Sequence, residues 1–399
     1  MDGRFEAIAE LGVHGANIQP GQVLLVTPTV GQEKLARAVA AAAYRRGAKF
    51  VDVFYYDPRV KRARIEGAAD ETLDFVPDWF RRRLLDAAEQ RSARMSFAGV
   101  VDPDALDGLD GARLGRDLLP WLKESMQVIN DRSTNWSIIP CPHPDWAELV
   151  YPDLDPDEAY ERLWDQLWHI LRLDEADPVA AWDERVAGLK ASAERLNARR
   201  FDALELNGPG TELTIGLLRS SHWQAGDFET AGGIRHLPNI PSEEVFSAPD
   251  PLRVDGHVAS TRPLVLKDGT IIRGLRVRFE GGRAVQVDAD ENVEAIRGKV
   301  AVDEGAARIG EVALVDRQGR IGPSETVFFD TLLDENAASH IAFGGAYRFS
   351  AEHEEDQARL NTSAIHIDFM IGSPELEVTG VTAGGERVPV LRGGDWQPL

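Results

Sequence analysis

Residues 22–56 read QVLLVTPTVGQEKLARAVAAAAYRRGAKFVDVFYY, and this stretch decides the fold class. Residues 22–26 (QVLLV) are aliphatic and branched, as a buried strand requires. Residues 32–46 are Ala-rich, and Leu35, Ala38, Val39 and Ala42 recur at the spacing of one helix face. Gly47 stands where a helix takes its terminal glycine, and residues 49–56 (KFVDVFYY) return to a strand pattern. Strand, helix and strand in this order make a βαβ unit, whose two strands lie parallel in one sheet.

Working outward, residues 80–91 are a charged helical stretch, and residues 93–100 and 127–139 read as further strands. Residues 155–200 turn helical, with Tyr160, Leu163, Leu167 and Leu171 on one face, and read as a connection between domains. From Phe201 onward strand signals dominate, as in 212–218 and 274–279, punctuated by the turn pairs Asp268-Gly269 and Gly281-Gly282. The expected architecture is an α/β N-terminal domain with parallel βαβ units and connecting helices over 1–195. A β-rich α+β C-terminal metal-binding domain follows over 196–399.

The 399 residues carry 44 Lys+Arg against 66 Asp+Glu, a net charge of −22, which excludes the basic balance that nucleic-acid binding relies on. With 43% hydrophobic and 28% charged residues the composition is that of a soluble globular protein. No run approaches the roughly 20 apolar residues of a membrane span. The opening MDGRFEAIAELGVHG lacks the apolar core of a secretory signal, so no membrane partner and a cytoplasmic location are expected. A single cysteine, Cys141, excludes an intrachain disulfide and every zinc site built from several thiolates. It lies in PCPHP beside His143, where the prolines favour a packed thiol in a rigid turn over a Cys/His dyad. HExxH, GxSxG and phosphate-binding glycine motifs are absent, so any metal must be held by dispersed His, Asp and Glu.

Four segments place such groups inside apolar or Gly/Pro-punctuated sequence, where a lone charge is costly to bury. They are 239–246 (NIPSEEVF), 309–314 (IGEVAL), 330–347 (DTLLDENAASHIAFGGAY) and 361–372 (NTSAIHIDFMIG). In the last, His366 and Asp368 alternate with Ile365, Ile367 and Phe369, so a strand projects both from one face about 7 Å apart. In the third, the composition is helical as far as Phe343, and His340 and Tyr347 share a face if the helix runs on through Gly344 and Gly345. Glu311 is an acid where a strand normally takes Val or Thr. Glu243 and Glu244 point to opposite faces of an extended chain, so one of them serves a site. Each segment alone has an ordinary structural explanation. Together they supply three carboxylates and two imidazoles, which suits two divalent ions some 3.5 to 4 Å apart better than one three-ligand zinc, and hydrolysis is the implied chemistry.

These residues resemble the M29 metallopeptidases, the thermophilic aminopeptidase family, over nearly the whole chain. The carriers are PSEEVF, IGEVALV, FFDTLLDENAASHIAFGGAY and SAIHIDFMIG, in order, with GANIQPGQVLLV, YRRGAKFVDVFYYD and KRARIE similar to the family's opening α/β domain. The resemblance implies metal ligands at Glu244, Glu311, His340, His366 and Asp368, and an active-site tyrosine at Tyr347 that stabilises the oxyanion. It also implies a homodimer acting on peptides with a free N-terminus, and two divalent ions per chain, zinc foremost with cobalt, manganese or magnesium as alternatives. The general base is left unassigned, with Glu243 a weak candidate. Two rival readings stand beside this one. The first is a mononuclear non-haem iron ring-cleaving dioxygenase of the hydroxypyridine type, using His340 or His257 with His366 and Asp368. The second is a non-catalytic binding protein with a structural metal site.

Overall fold

The computed structural model describes residues 3–399 apart from 118, 121, 123, 267 and 268. It divides into two compact units, Met1–Glu184 with Asp227–Ser242, and Arg185–Gly226 with Glu243–Leu399; the first boundary falls within the helix Pro178–Arg199.

The first unit is built on a parallel four-stranded sheet in the order Phe50–Val53, Val23–Thr27, Ala93–Ala98, Trp136–Pro140. Between the first two strands in sequence runs the helix Glu33–Arg45, which buries Leu35, Ala38, Val39 and Ala42 against Leu24 and Val26. It ends as the sequence anticipates. Gly47 adopts φ +89°, its N–H donates to Tyr44 O at 2.9 Å and that of Ala48 to Ala43 O at 3.0 Å, the paired bonds of a Schellman cap.

The expected strand over 127–139 is only half a strand. Residues Glu124–Asn130 form a helix that buries Ser125 and Val128, and Arg132, at φ +48°, turns the chain before the strand starts at Trp136. The aliphatic pair Val128 and Ile129 carries the strand signal there, and burial at i and i+3 overrides it. Cys141 is buried at the end of the sheet, its thiol pushed up by burial, while His143 Nδ1 accepts the Asp145 N–H at 3.2 Å as a helix cap. The PCPHP segment is therefore a rigid turn with a packed thiol.

The second unit packs an antiparallel five-stranded sheet over an antiparallel eight-stranded one. The smaller sheet runs His366–Met370, His340–Gly344, Ile309–Val315, Glu244–Ser247, Gln224–Ala225. The larger contains Thr211–Leu217 and Pro249–Ala259 at its centre. Between them Val245, Val312, Leu314, Ile341, Phe343 and Phe369 pack against Leu204, Ile215, Val254 and Phe279. Phe343 stacks on Phe369 with ring centroids 5.1 Å apart. Each such side chain contributes roughly 1.5 to 3 kcal/mol by leaving water, so the register of the small sheet is strongly specified. Of the turn pairs, Gly281 and Gly282 both take positive φ between paired strands, and Asp268 lies outside the described residues.

Residues 340–344 are a strand, not the continuation of a helix. The helix in this segment covers only Thr331–Glu335. HIAFG alternates His340, Ala342 and Gly344 with Ile341 and Phe343, a period of two, and tertiary pairing on both edges decides in its favour. Gly344, at φ +97°, terminates it; a Cβ there would meet Ile365 O at 2.1 Å, so no other residue fits.

Candidate metal centre

The register of the small sheet collects the acids and imidazoles on one face. Glu311 pairs with Ala342 and Ala342 with Asp368, while Gly344 pairs with His366, Ala313 with His340 and Val315 with Glu244. Cross-strand partners share a face, and the intervening residues Val245, Val312, Leu314, Ile341, Phe343 and Phe369 are those buried between the sheets. Ala313, Ala342 and Gly344 are the small members of the polar face, and they leave room above the sheet for the longer side chains.

Two clusters result, Glu244–Glu311–His340 and Glu311–His366–Asp368, with Glu311 common to both. His340 Nε2 lies 3.0 Å from Glu244 Oε2 and 3.7 Å from Glu311 Oε1. His366 Nε2 lies 3.3 Å from Asp368 Oδ1 and 3.9 Å from Glu311 Oε2. The two oxygens of Glu311 thus face different imidazoles. Ligand atoms about 2.0 to 2.2 Å from a tetrahedral ion stand roughly 3.4 Å from one another, which is the range of these separations.

The second nitrogen of each ring is already committed. His340 Nδ1 is 3.1 Å from Ala338 O and His366 Nδ1 is 2.7 Å from Gly345 O. A carbonyl only accepts, so both Nδ1 atoms carry hydrogen and each neutral ring turns the Nε2 lone pair toward carboxylates. Acceptor then faces acceptor. Glu244 Oε2 is correspondingly buried without a hydrogen bond among the described residues. A second proton on each ring or a cation between the groups relieves this. Burial opposes a charged ring, yet Asp368 and Glu311 push His366 up to about 9, and Glu244 and Glu311 raise His340 well above its ordinary range. Burial raises Glu311 against the pull of both imidazoles. The residues fit divalent cations: hard and borderline donors, backbone-fixed imidazoles, and an excess of negative charge.

Tyr347 closes one side. Its ring stacks on Phe349 at 5.3 Å, meets Phe246 edge-on at 6.1 Å and lies 5.5 Å from the His366 ring. Burial, then Glu311 and Asp368, push its hydroxyl well up, so it stays a proton donor. Tyr347 and His340 do not share a helix face; the strand and the turn at Gly344 bring them to the site separately.

Glu243 points away from the cluster, into an ion pair with Arg185, and is not placed to be a base. His257 is exposed on the large sheet, paired with Glu212 and Arg278, and joins neither cluster. His340 and His366 fall in different clusters, so the facial triad of the dioxygenase reading is not assembled either. Sequence reasoning missed Glu335. Burial, followed by the charges of Asp368 and Glu244, raises its carboxyl well above the usual range, which places it within electrostatic reach of the set. The signal was only partial: the acids Asp334 and Glu335 both follow the apolar pair Leu332 and Leu333, and sequence does not separate Glu335 from Asp334, which accepts the Phe328 and Asp330 N–H groups instead.

A buried face of carboxylates and backbone-fixed imidazoles with a tyrosine beside it defines a donor set for metal-dependent hydrolysis. The family model described as thermophilic metalloprotease (M29) matches residues 1–396. The chain is similar to Aminopeptidase T of Thermus thermophilus, 42% identical over 401 residues and 98% of each chain. It is also similar to Aminopeptidase PepS of Streptococcus thermophilus, 36% identical over 404 residues, 98% of this chain and 97% of that one. The solved structure of wild-type AmpT from Thermus thermophilus superposes with a TM-score of 0.89 at 41% identity, covering 98% of both chains. The chain belongs to the M29 metallopeptidase family.

Proposed function

We propose that this chain is a metal-dependent aminopeptidase in which Glu244, Glu311 and His340 would hold one divalent ion and Glu311, His366 and Asp368 a second. The observation that carries the reading is the sharing of Glu311 between two clusters whose imidazoles already have Nδ1 fixed. Family membership and the names of the relatives support aminopeptidase activity. With Glu335 in electrostatic reach the set offers four carboxyl groups, whose negative charge divalent ions would offset.

Bound divalent ions would polarise the scissile carbonyl and make a water nucleophilic at neutral pH. The chain's own residues do the rest. Tyr347 donates a hydrogen bond to the developing oxyanion, a role in which one donor supplies roughly 2.7 to 4 kcal/mol. Glu335, outside both clusters and within electrostatic reach of Asp368 and Glu244, would take the proton of the attacking water once bound cations favour its ionised form, and deliver it to the leaving amine. Zinc, a peptide substrate with a free N-terminus, a homodimer and a cytoplasmic setting belong to the same proposal and rest on the donor set and the family resemblance.

The test is to titrate metal into chelator-stripped protein while following hydrolysis of aminoacyl-chromogenic substrates and counting ions per chain. Activity should rise toward two ions and be absent on N-blocked substrates. Glu311→Gln should lose both ions and Glu244→Gln one. A wild-type chain saturated by a single ion refutes the bridged arrangement.

A further inference from the structure

Glu243, the neighbour of Glu244, faces a second buried acid, and Arg185 lies between the two. Glu244 lies opposite Val315 at the start of the Glu244–Ser247 strand. Extending that register by one residue sets Glu243 opposite Asp316, two acids facing each other across a ladder, which is destabilising. Both are buried, Glu243 completely. Arg185, on the helix Pro178–Arg199, lies between them. Its Nε donates to Glu243 Oε2, its Nη2 to Asp316 Oδ1 at 2.9 Å and its Nη1 to Asp316 Oδ2 at 3.3 Å.

Each acid has further partners. Trp396 Nε1 donates to Asp316 Oδ2 at 2.7 Å and the Gln318 N–H to Asp316 Oδ1 at 2.9 Å. The Glu243 N–H donates to Asn336 Oδ1 at 2.6 Å, and Asn336 Nδ2 to Leu332 O at 2.9 Å. The network therefore joins the backbone beside Glu244, the end of the strand that carries Glu311 and the helix end that carries Glu335. Consecutive residues of an extended chain face opposite ways, so a fixed Glu243 leaves Glu244 one direction, toward His340.

We propose that Arg185 is a positioning residue for metal binding, holding Glu243 and Asp316 so that Glu244 presents its carboxylate to the ion it would share with His340. This rests on the two-ion reading above. Arg185 touches neither ion nor substrate, and its effect is confined to the cluster containing Glu244, because His366 and Asp368 come from a strand on the far side of the sheet.

The experiment follows cobalt binding by visible absorption in stripped wild type, Arg185→Lys, Glu243→Gln and Glu244→Gln, with thermal unfolding alongside. Arg185→Lys keeps the charge that the buried acids need and loses the two-sided fork, so it folds where a neutral replacement risks not folding. Outer partners of metal ligands typically govern 10- to 100-fold in affinity. The expected result is that one of two binding steps weakens by at least about 10-fold in both Arg185→Lys and Glu243→Gln, and that it is the step abolished in Glu244→Gln. At saturating metal KM stays within about 2-fold of wild type and much of kcat returns. A lowered melting temperature with both binding steps unchanged overturns the proposal, as does equal weakening of both steps. A wild type with one binding step, or a Glu244→Gln chain that keeps both, defeats the two-ion reading itself and the clamp with it.

Discussion

Stripped of metal, the protein should lose stability as pH rises from about 7 to about 10, and the metal-loaded protein should lose far less. Burial opposes the charged form of His366, but Asp368 and Glu311 override it and hold its pKa at about 9, against about 6.5 in an unfolded chain. A group that binds its proton more tightly folded than unfolded stabilises fully below the unfolded value and loses that contribution as pH passes the folded one. A gap of about 2.5 pH units at about 1.36 kcal/mol each corresponds to on the order of 3 kcal/mol. His340, raised by Glu244 and Glu311 against its burial, adds a loss of the same sign. Ions replace these protons, so the loaded protein has little left to lose in that window and metal uptake at pH 7 releases protons. Urea titrations of stripped and loaded protein across the range give the difference, in which general alkaline effects cancel. If the stripped protein loses no more stability than the loaded one, within about 1 kcal/mol, the picture of proton-holding imidazoles facing carboxylates is wrong.

Two substitutions separate binding from chemistry. Tyr347→Phe should retain both ions and lose about 100- to 1000-fold in kcat; unchanged turnover in stopped assays at saturating metal removes Tyr347 from the oxyanion role. Glu335→Gln should likewise keep two ions by elemental counting while kcat falls at least about 100-fold. A drop to one ion per chain would instead make Glu335 a ligand.

The parallel sheet of the first unit was legible because its signals are local. Leu35, Val39 and Ala42 repeat within one helix, and Gly47 marks where it ends. The clustered acids and imidazoles were legible for a different reason, the cost of burying Glu311, His366 or Asp368 without a partner. What sequence could not supply was pairing. His340 sits in a segment of helix-forming composition, and only the strands on either side of it make it a strand. The split of Glu243 toward Arg185 and Glu244 toward His340 depends on a helix some sixty residues earlier in the chain. Residues 127–130 misled for a local reason, since the short helix Glu124–Asn130 with two aliphatic neighbours offers too few turns for its period to show.

The buried, raised thiol of Cys141 makes the native chain behave as if it had no cysteine toward reagents that attack thiolates. A cysteine introduced anywhere on the surface is then the one reactive handle, and a fluorophore or spin label can be placed there without first removing a native residue. With two such cysteines placed in one unit, distances within it become measurable with no native residue removed.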